Sequence, residues 1–231
     1  MKPTLVLVPG LLCDSLVWKH QLAAFADTHE LLVPELSDYT SLEAMATALL
    51  AAAPAQFILA GHSLGGRIAL EVVQQGAHRV SHLALMDTGV GPPSPNERAS
   101  RMELVELGET SGLAAVAERW LPPMLHPTRR QDAAFMAALE AMVSGRSTAS
   151  FRRQQEALLA RPDARAVLAQ VHCPTLVLTG REDEWSPPEQ HEVIAAAIPG
   201  ARLVIVPVAG HFAPLEQPAA VTQALQELLA R

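Results

Sequence analysis

The chain has 231 residues, 49% of them hydrophobic and 18% charged, and its formal net charge is −7. That length fits one domain with room for a proper core, and the composition is globular rather than disordered. The acidic balance excludes nucleic acid and anionic lipid as partners drawn by the overall field, and no run reaches the roughly 18 to 20 apolar residues of a membrane helix.

Met1 to Gly10 does not read as a signal peptide, because its apolar run is short, Pro3 interrupts it and no small-residue cleavage site follows. The cytoplasm is therefore the expected location. The two cysteines, Cys13 and Cys173, form no CxxC pair and read as buried thiols of a reducing compartment.

In chain order, Thr4–Val8 reads as a buried strand ending in the turn Pro9-Gly10. Leu16–Phe25 carries apolar residues at helical spacing, and Glu30–Val33 is a second strand stopped by Pro34. Ser41–Ala53 predicts a helix with Ser41 as its N-cap. Gln56–Ala60 is a third strand, Leu64–Gln75 a helix closed by Gly76, and Val80–Met86 a fourth strand. From about Gly89 to Arg165 only helical stretches occur, broken by Pro92-Pro93, Pro95, Gly112, Pro122-Pro123, Pro127 and Gly145. Alternation resumes with a strand at Thr175–Thr179, a helix at Pro188–Ala197, a strand at Arg202–Val206 and a last helix at Ala219–Leu229. Such alternation predicts a mostly parallel sheet flanked by helices. Residues 1–88 and 166–231 form this core, and residues 89–165 a helical cap inserted after the fourth predicted strand.

The strongest chemical signal is Gly61-His62-Ser63-Leu64-Gly65-Gly66, a G-x-S-x-G sequence between an apolar strand and a helix. There the chain must reverse within very few residues, and glycines at 61 and 65 let strand and helix approach closely. Ser63 then projects above the carboxyl end of the sheet, at a helix N-terminus that favours developing negative charge. The serine needs a base, and His211, in the loop between the last strand and the last helix, is the candidate. Of the nine histidines, His62 is nearest in sequence but reads as packing beside the turn. Asp183, after the fifth strand, is the candidate to hold the imidazole tautomer, with Asp87 at the end of the fourth strand as its rival. The oxyanion donors are expected to be the backbone N–H groups of Leu64, the residue after the nucleophile, and Leu11, in the loop after the first strand. Cys13 lies near that loop without an expected role.

Several segments carry a family resemblance: Val8-Pro9-Gly10-Leu11-Leu12 with Trp18 downstream, the Ser63 motif, Gly180-Arg181-Glu182-Asp183, and Gly210-His211 followed by Glu216-Gln217-Pro218. With them the chain resembles the α/β-hydrolase superfamily, within its small bacterial carboxylesterases and, more distantly, relatives of pimeloyl carrier-protein methyl ester esterase. The order Ser63, Asp183, His211 matches the chain order of that superfamily. The chain departs from it in having Pro9 where many relatives have histidine, and in starting at what would be the family's third strand. The resemblance implies an α/β-hydrolase fold and a serine hydrolase that cleaves a carboxylic ester or thioester through an acyl-enzyme, with no metal or cofactor. Carbon–carbon bond hydrolysis, perhydrolysis and lyase chemistry use the same triad, and a low-turnover ligand receptor can be built on the same fold. Dehalogenase and epoxide hydrolase chemistry would need a carboxylate at position 63.

The cap is expected to wall the pocket, with Trp120, Leu121, Met124 and Leu125, in a proline-broken segment, as substrate-binding residues. Trp185, two residues past Asp183, is expected to join them. Glu97–Arg165 carries a net charge of +1 and the remainder −8. The expected partner is a small-molecule ester, and a basic cap on an acidic body also fits an acidic acyl carrier protein.

Overall fold

Six strands form one parallel sheet in a computed structural model that describes residues 2–231. They are β1 (Thr4–Val8), β2 (Glu30–Leu32), β3 (Phe57–His62), β4 (Val80–Met86), β5 (Thr175–Gly180) and β6 (Arg202–Val206), in the spatial order β2-β1-β3-β4-β5-β6. Every neighbouring pair is parallel. All residues of β3 and β5 are buried, as expected of strands covered on both faces, and this explains why they read as unbroken apolar runs. The order reverses at β1, and the loops after β1 and β3 consequently meet above the carboxyl edge, where ligands of such sheets bind.

Helices flank the sheet. The helix α1 (Lys19–Phe25) is preceded by a tight turn, Ser15–Trp18, whose first free amide is satisfied when the Asp14 side chain accepts from Leu16 N. The single helix expected over Leu16–Phe25 is therefore split. Ser41 caps α2 (Leu42–Ala52), its Oγ accepting from Ala44 N at 3.1 Å. That helix packs on α3 (Leu64–Gly76), which lies against β1, β3 and β4.

Between β4 and β5 the chain forms α4 (Glu97–Trp120), α5 (Ala133–Ser144) and α6 (Thr148–Leu159). Gly112, at φ 83° and ψ 166°, interrupts α4. Helices α5 and α6 both pack on α4, and the group is tied to the body: Leu12 N donates to Gln154 Oε1, and Arg153 pairs with Asp38. After β5 come α7 (Pro188–Ala197), the single turn α8 (Ala213–Glu216) and α9 (Pro218–Leu229). The last lies against β4, β5 and β6 with α1 packed on it. No helix among the described residues is long and apolar enough to cross a membrane.

Candidate active site

Ser63 sits where β3 becomes α3, at φ 55° and ψ −114°. A β-carbon-bearing residue at such a positive φ costs about 1–3 kcal/mol and persists only if its surroundings impose it. Here they do. Ser63 N donates to Met86 O at 2.9 Å, and the Ser63 carbonyl accepts from Thr88 Oγ1 at 2.7 Å and Gly66 N at 3.0 Å. A Cβ on Gly61 would overlap the carbonyl oxygen of Gly65, and one on Gly65 that of Val8. Those glycines are what allow the helix to start so close to two strands.

Three loops at the carboxyl ends of strands bring Ser63, His211 and Asp183 into one hydrogen-bonded row. Ser63 Oγ lies 2.8 Å from His211 Nε2, and His211 Nδ1 lies 2.8 Å from Asp183 Oδ2. The carboxylate acceptor fixes the imidazole proton on Nδ1, so Nε2 is free to accept the serine proton. Asp183 Oδ1 accepts from Trp185 N at 2.9 Å and Ser186 N at 2.8 Å. Burial raises the Asp183 carboxyl, but the charge and hydrogen bond of His211 and the two amides outweigh it, so it lies below its ordinary range.

Asp87 does not join that row. Its Oδ1 accepts from Gly180 N at 3.0 Å, while its fully buried Oδ2 has no hydrogen-bond partner. Burial first, and the nearby charge of Asp183 second, push its carboxyl well above the usual range.

The segment carrying His211 is clamped from several sides. His211 N donates to Met124 O at 2.7 Å, and the His211 carbonyl lies 2.7 Å from His62 Nε2. Burial, and next the charge of His211, push His62 down to about 3, so its ring is neutral and Nε2–H is the donor. His62 thus holds the backbone of its neighbour in addition to packing beside the turn. Glu216, fully buried, accepts from Gly210 N at 2.9 Å, Phe212 N at 3.2 Å and His126 N at 2.8 Å. Burial still raises its carboxyl above the ordinary value against those three amides.

A cavity of about 610 Å³ opens at Ser63. Leu11 and Leu64 line it, and neither backbone N–H donates to another group among the described residues. They are thus free to meet an oxyanion beside Ser63 Oγ. Trp120 and Met124 also line the cavity, and Trp185, 45% exposed, stands at its mouth. Leu121 and Leu125 do not. Pro122–Met124 forms a single tight turn, so the side chains on either side of it diverge, and those two leucines are buried in the core. Cys13 is buried as well, and burial followed by the charge of Asp14 pushes its thiol up to about 12, which leaves no thiolate at neutral pH.

The polar part of the wall was not expected: Arg67, Glu97, Arg101, Gln155 and Arg161 line the same cavity. One signal pointed to it. Arg67 follows Ser63 by four residues, so it shares the serine's side of α3. No group of three or more His, Cys, Asp or Glu side chains suited to a metal ion occurs among the described residues.

A parallel sheet that carries serine, aspartate and histidine on loops at its carboxyl ends defines the α/β-hydrolase class. The model of the alpha/beta hydrolase family matches residues 5–224, and the chain belongs to that family. Among relatives, the chain is 31% identical over 233 residues to a Klebsiella pneumoniae protein with the provisional name carbamate hydrolase RutD, covering 90% of this chain and 84% of the relative. It is 29% identical over 185 residues to the 2-hydroxy-6-oxononadienedioate/2-hydroxy-6-oxononatrienedioate hydrolase of Escherichia coli K12, covering 77% of this chain and 63% of that protein. Among solved structures, a thermophilic esterase from Thermogutta terrifontis superposes with a TM-score of 0.89 at 29% identity, covering all of this chain and 90% of the other.

Proposed function

We propose that this protein is a serine hydrolase of carboxylic esters, thioesters included, and that Ser63, His211 and Asp183 are its catalytic residues. The observation that carries this reading is the unbroken row from Ser63 Oγ through His211 to Asp183, both links at 2.8 Å, at the floor of a cavity large enough for a small ester. His211 Nε2 takes the Ser63 proton as Oγ attacks the carbonyl carbon, and the Leu11 and Leu64 N–H groups hold the oxyanion. The tetrahedral species collapses, the leaving alcohol or thiol departs with the proton from His211, and an acyl-serine remains. Water, losing a proton to the same nitrogen, attacks the acyl carbonyl and releases the acid.

The substrate is read as a small-molecule ester, selected by residues 89–165 acting as a cap, with Trp120 and Met124 as its contribution to the wall. A family that hosts many chemistries does not choose among them, so the ester reading rests on the site. The test is turnover of p-nitrophenyl acetate, butyrate and octanoate together with labelling by a fluorophosphonate. Turnover and labelling are expected, both lost in Ser63→Ala. Negligible turnover of all three esters would overturn the ester reading and favour a ligand receptor, and undiminished labelling of Ser63→Ala would remove Ser63 as the nucleophile.

A further inference from the structure

One part of the cavity wall is cationic, and its charges are not all matched. Glu97 accepts two hydrogen bonds of 2.6 Å from Arg161 and one of 2.6 Å from Arg101 Nε. Arg161 spends its remaining donors on the carbonyls of Gly91, Pro92 and Leu158. This pair is structural. The other acidic residue on the wall, Glu189, is exposed to solvent.

Arg67 differs. It stands one helical turn beyond Ser63, a rise of about 5.4–6 Å along α3. Its guanidinium donates one hydrogen bond, from Nη1 to Gly91 O at 3.0 Å, and pairs with no carboxylate among the described residues. Burial, and next the charge of Arg161, lower its proton affinity to about 9, which leaves it charged at neutral pH. A second unmatched donor lies buried behind the same wall. Arg101 Nη1 donates to Gln155 Oε1 at 2.7 Å, which fixes the direction of that amide. Gln155 Nε2 is left buried without a partner. A largely buried cation and a buried amide donor are each costly unpaired. An anionic group on a bound ligand would satisfy the cation, which lines the cavity.

We propose that the substrate carries a carboxylate besides its scissile ester, and that Arg67 receives it within the cavity that opens at Ser63. The inference rests on the ester reading for the scissile bond only. The carboxylate sits either on the acyl part, as in a half-ester of a dicarboxylic acid, or on the alcohol part. Both present the same planar anion to a guanidinium fork.

Two matched pairs of substrates test it by acid release at constant pH. Monomethyl glutarate against dimethyl glutarate places the charge on the acyl side, and 4-acetoxybenzoate against 4-acetoxybenzamide places it on the alcohol side. In at least one pair kcat/KM should favour the anion by about ten- to a hundredfold, the worth of one or two charge-assisted hydrogen bonds. Arg67→Gln should bring that ratio close to unity, and Arg67→Lys should keep part of it. Wild-type enzyme that handles the neutral member equally well in both pairs overturns the proposal, as does a ratio that Arg67→Gln leaves unchanged. Calorimetric binding of the same four compounds to Ser63→Ala separates this inference from the ester reading. Tighter binding of an anion than of its neutral partner supports the subsite even if wild-type protein cleaves no ester, and equal binding in both pairs refutes it.

Discussion

Asp183 and Asp87 are both buried carboxyls at the ends of neighbouring strands, and replacing each by asparagine separates them sharply. In Asp183→Asn the side-chain oxygen keeps the two amide donors at Trp185 and Ser186, 2.9 and 2.8 Å away. The new NH2 group then faces His211 Nδ1, 2.8 Å from the atom it replaces. An NH2 only donates, so Nδ1 must accept and the ring proton moves to Nε2. Nε2 can then no longer take the proton of Ser63. The equivalent change in a serine protease costs about 10⁴ in kcat, which corresponds to about 5.4 kcal/mol of barrier. In Asp87→Asn a carboxyl whose proton affinity burial raises is replaced by its near isostere, the Gly180 amide keeps its acceptor, and kcat should stay within about threefold of wild type. Steady-state kcat on p-nitrophenyl butyrate at pH 7.5, with melting curves to show that both variants fold, decides it. An Asp87→Asn loss larger than that of Asp183→Asn would refute the assignment of the acid.

Three further outcomes are expected. Because the folded state raises the Asp87 carboxyl, its contribution to stability is present below the unfolded pKa and is lost as pH rises toward the folded value. Asp87→Asn removes that loss, so its melting temperature relative to wild type should be higher at pH 8 than at pH 3.5; a difference independent of pH would mean that Asp87 is ionised in the fold. Glu216→Gln turns one acceptor of three buried amides into a donor, at a cost of about 1–3 kcal/mol, read as a fall of roughly 2 to 12 °C in melting temperature with a lower kcat because the His211 loop loosens; an unchanged melting temperature would show that those amides find other partners. Trp120, 5% exposed, is both core and cavity wall, so Trp120→Ala should lose about 3–5 kcal/mol of stability and shift kcat/KM toward longer acyl chains by about tenfold or more. Lost stability with an unchanged chain-length profile would take Trp120 off the acyl path.

The six strands and the core helices were legible in the sequence because each obeys a local rule: an apolar run, a periodic face, a serine cap, a proline or glycine stop. The boundaries that slipped did so for local reasons too. Leu16–Phe25 broke at its first turn because Asp14 supplies a side-chain acceptor two residues ahead of Leu16. The Ser63 elbow was legible because its glycines answer a steric demand within six residues. His211 and Asp183 were legible as loop residues after strands, though their meeting depends on strand order, which no single segment encodes. The pocket was the least legible part. Leu121 and Leu125 share an apolar segment with Trp120 and Met124, and only the turn at Pro122–Met124 sorts them into core and wall.

The cationic wall shows the same limit from the other side. Glu97 and Arg101 are four apart on one helix, a pairing any sequence displays. Arg161 reaches Glu97 across 64 positions, Gln155 comes from α6 and Arg67 from the elbow helix. What makes Arg67 unusual is the absence of a carboxylate partner among the described residues, and an absence is visible only when the neighbours are in place. Glu97 could have neutralised any of the three arginines; it is committed to Arg101 and Arg161 because both reach it at 2.6 Å. The arginine left without a carboxylate stands one helical turn from Ser63 and lines the cavity that opens there. Polar residues tied up in their own hydrogen bonds shape a pocket, whereas those left with open valences describe what the pocket is built to hold.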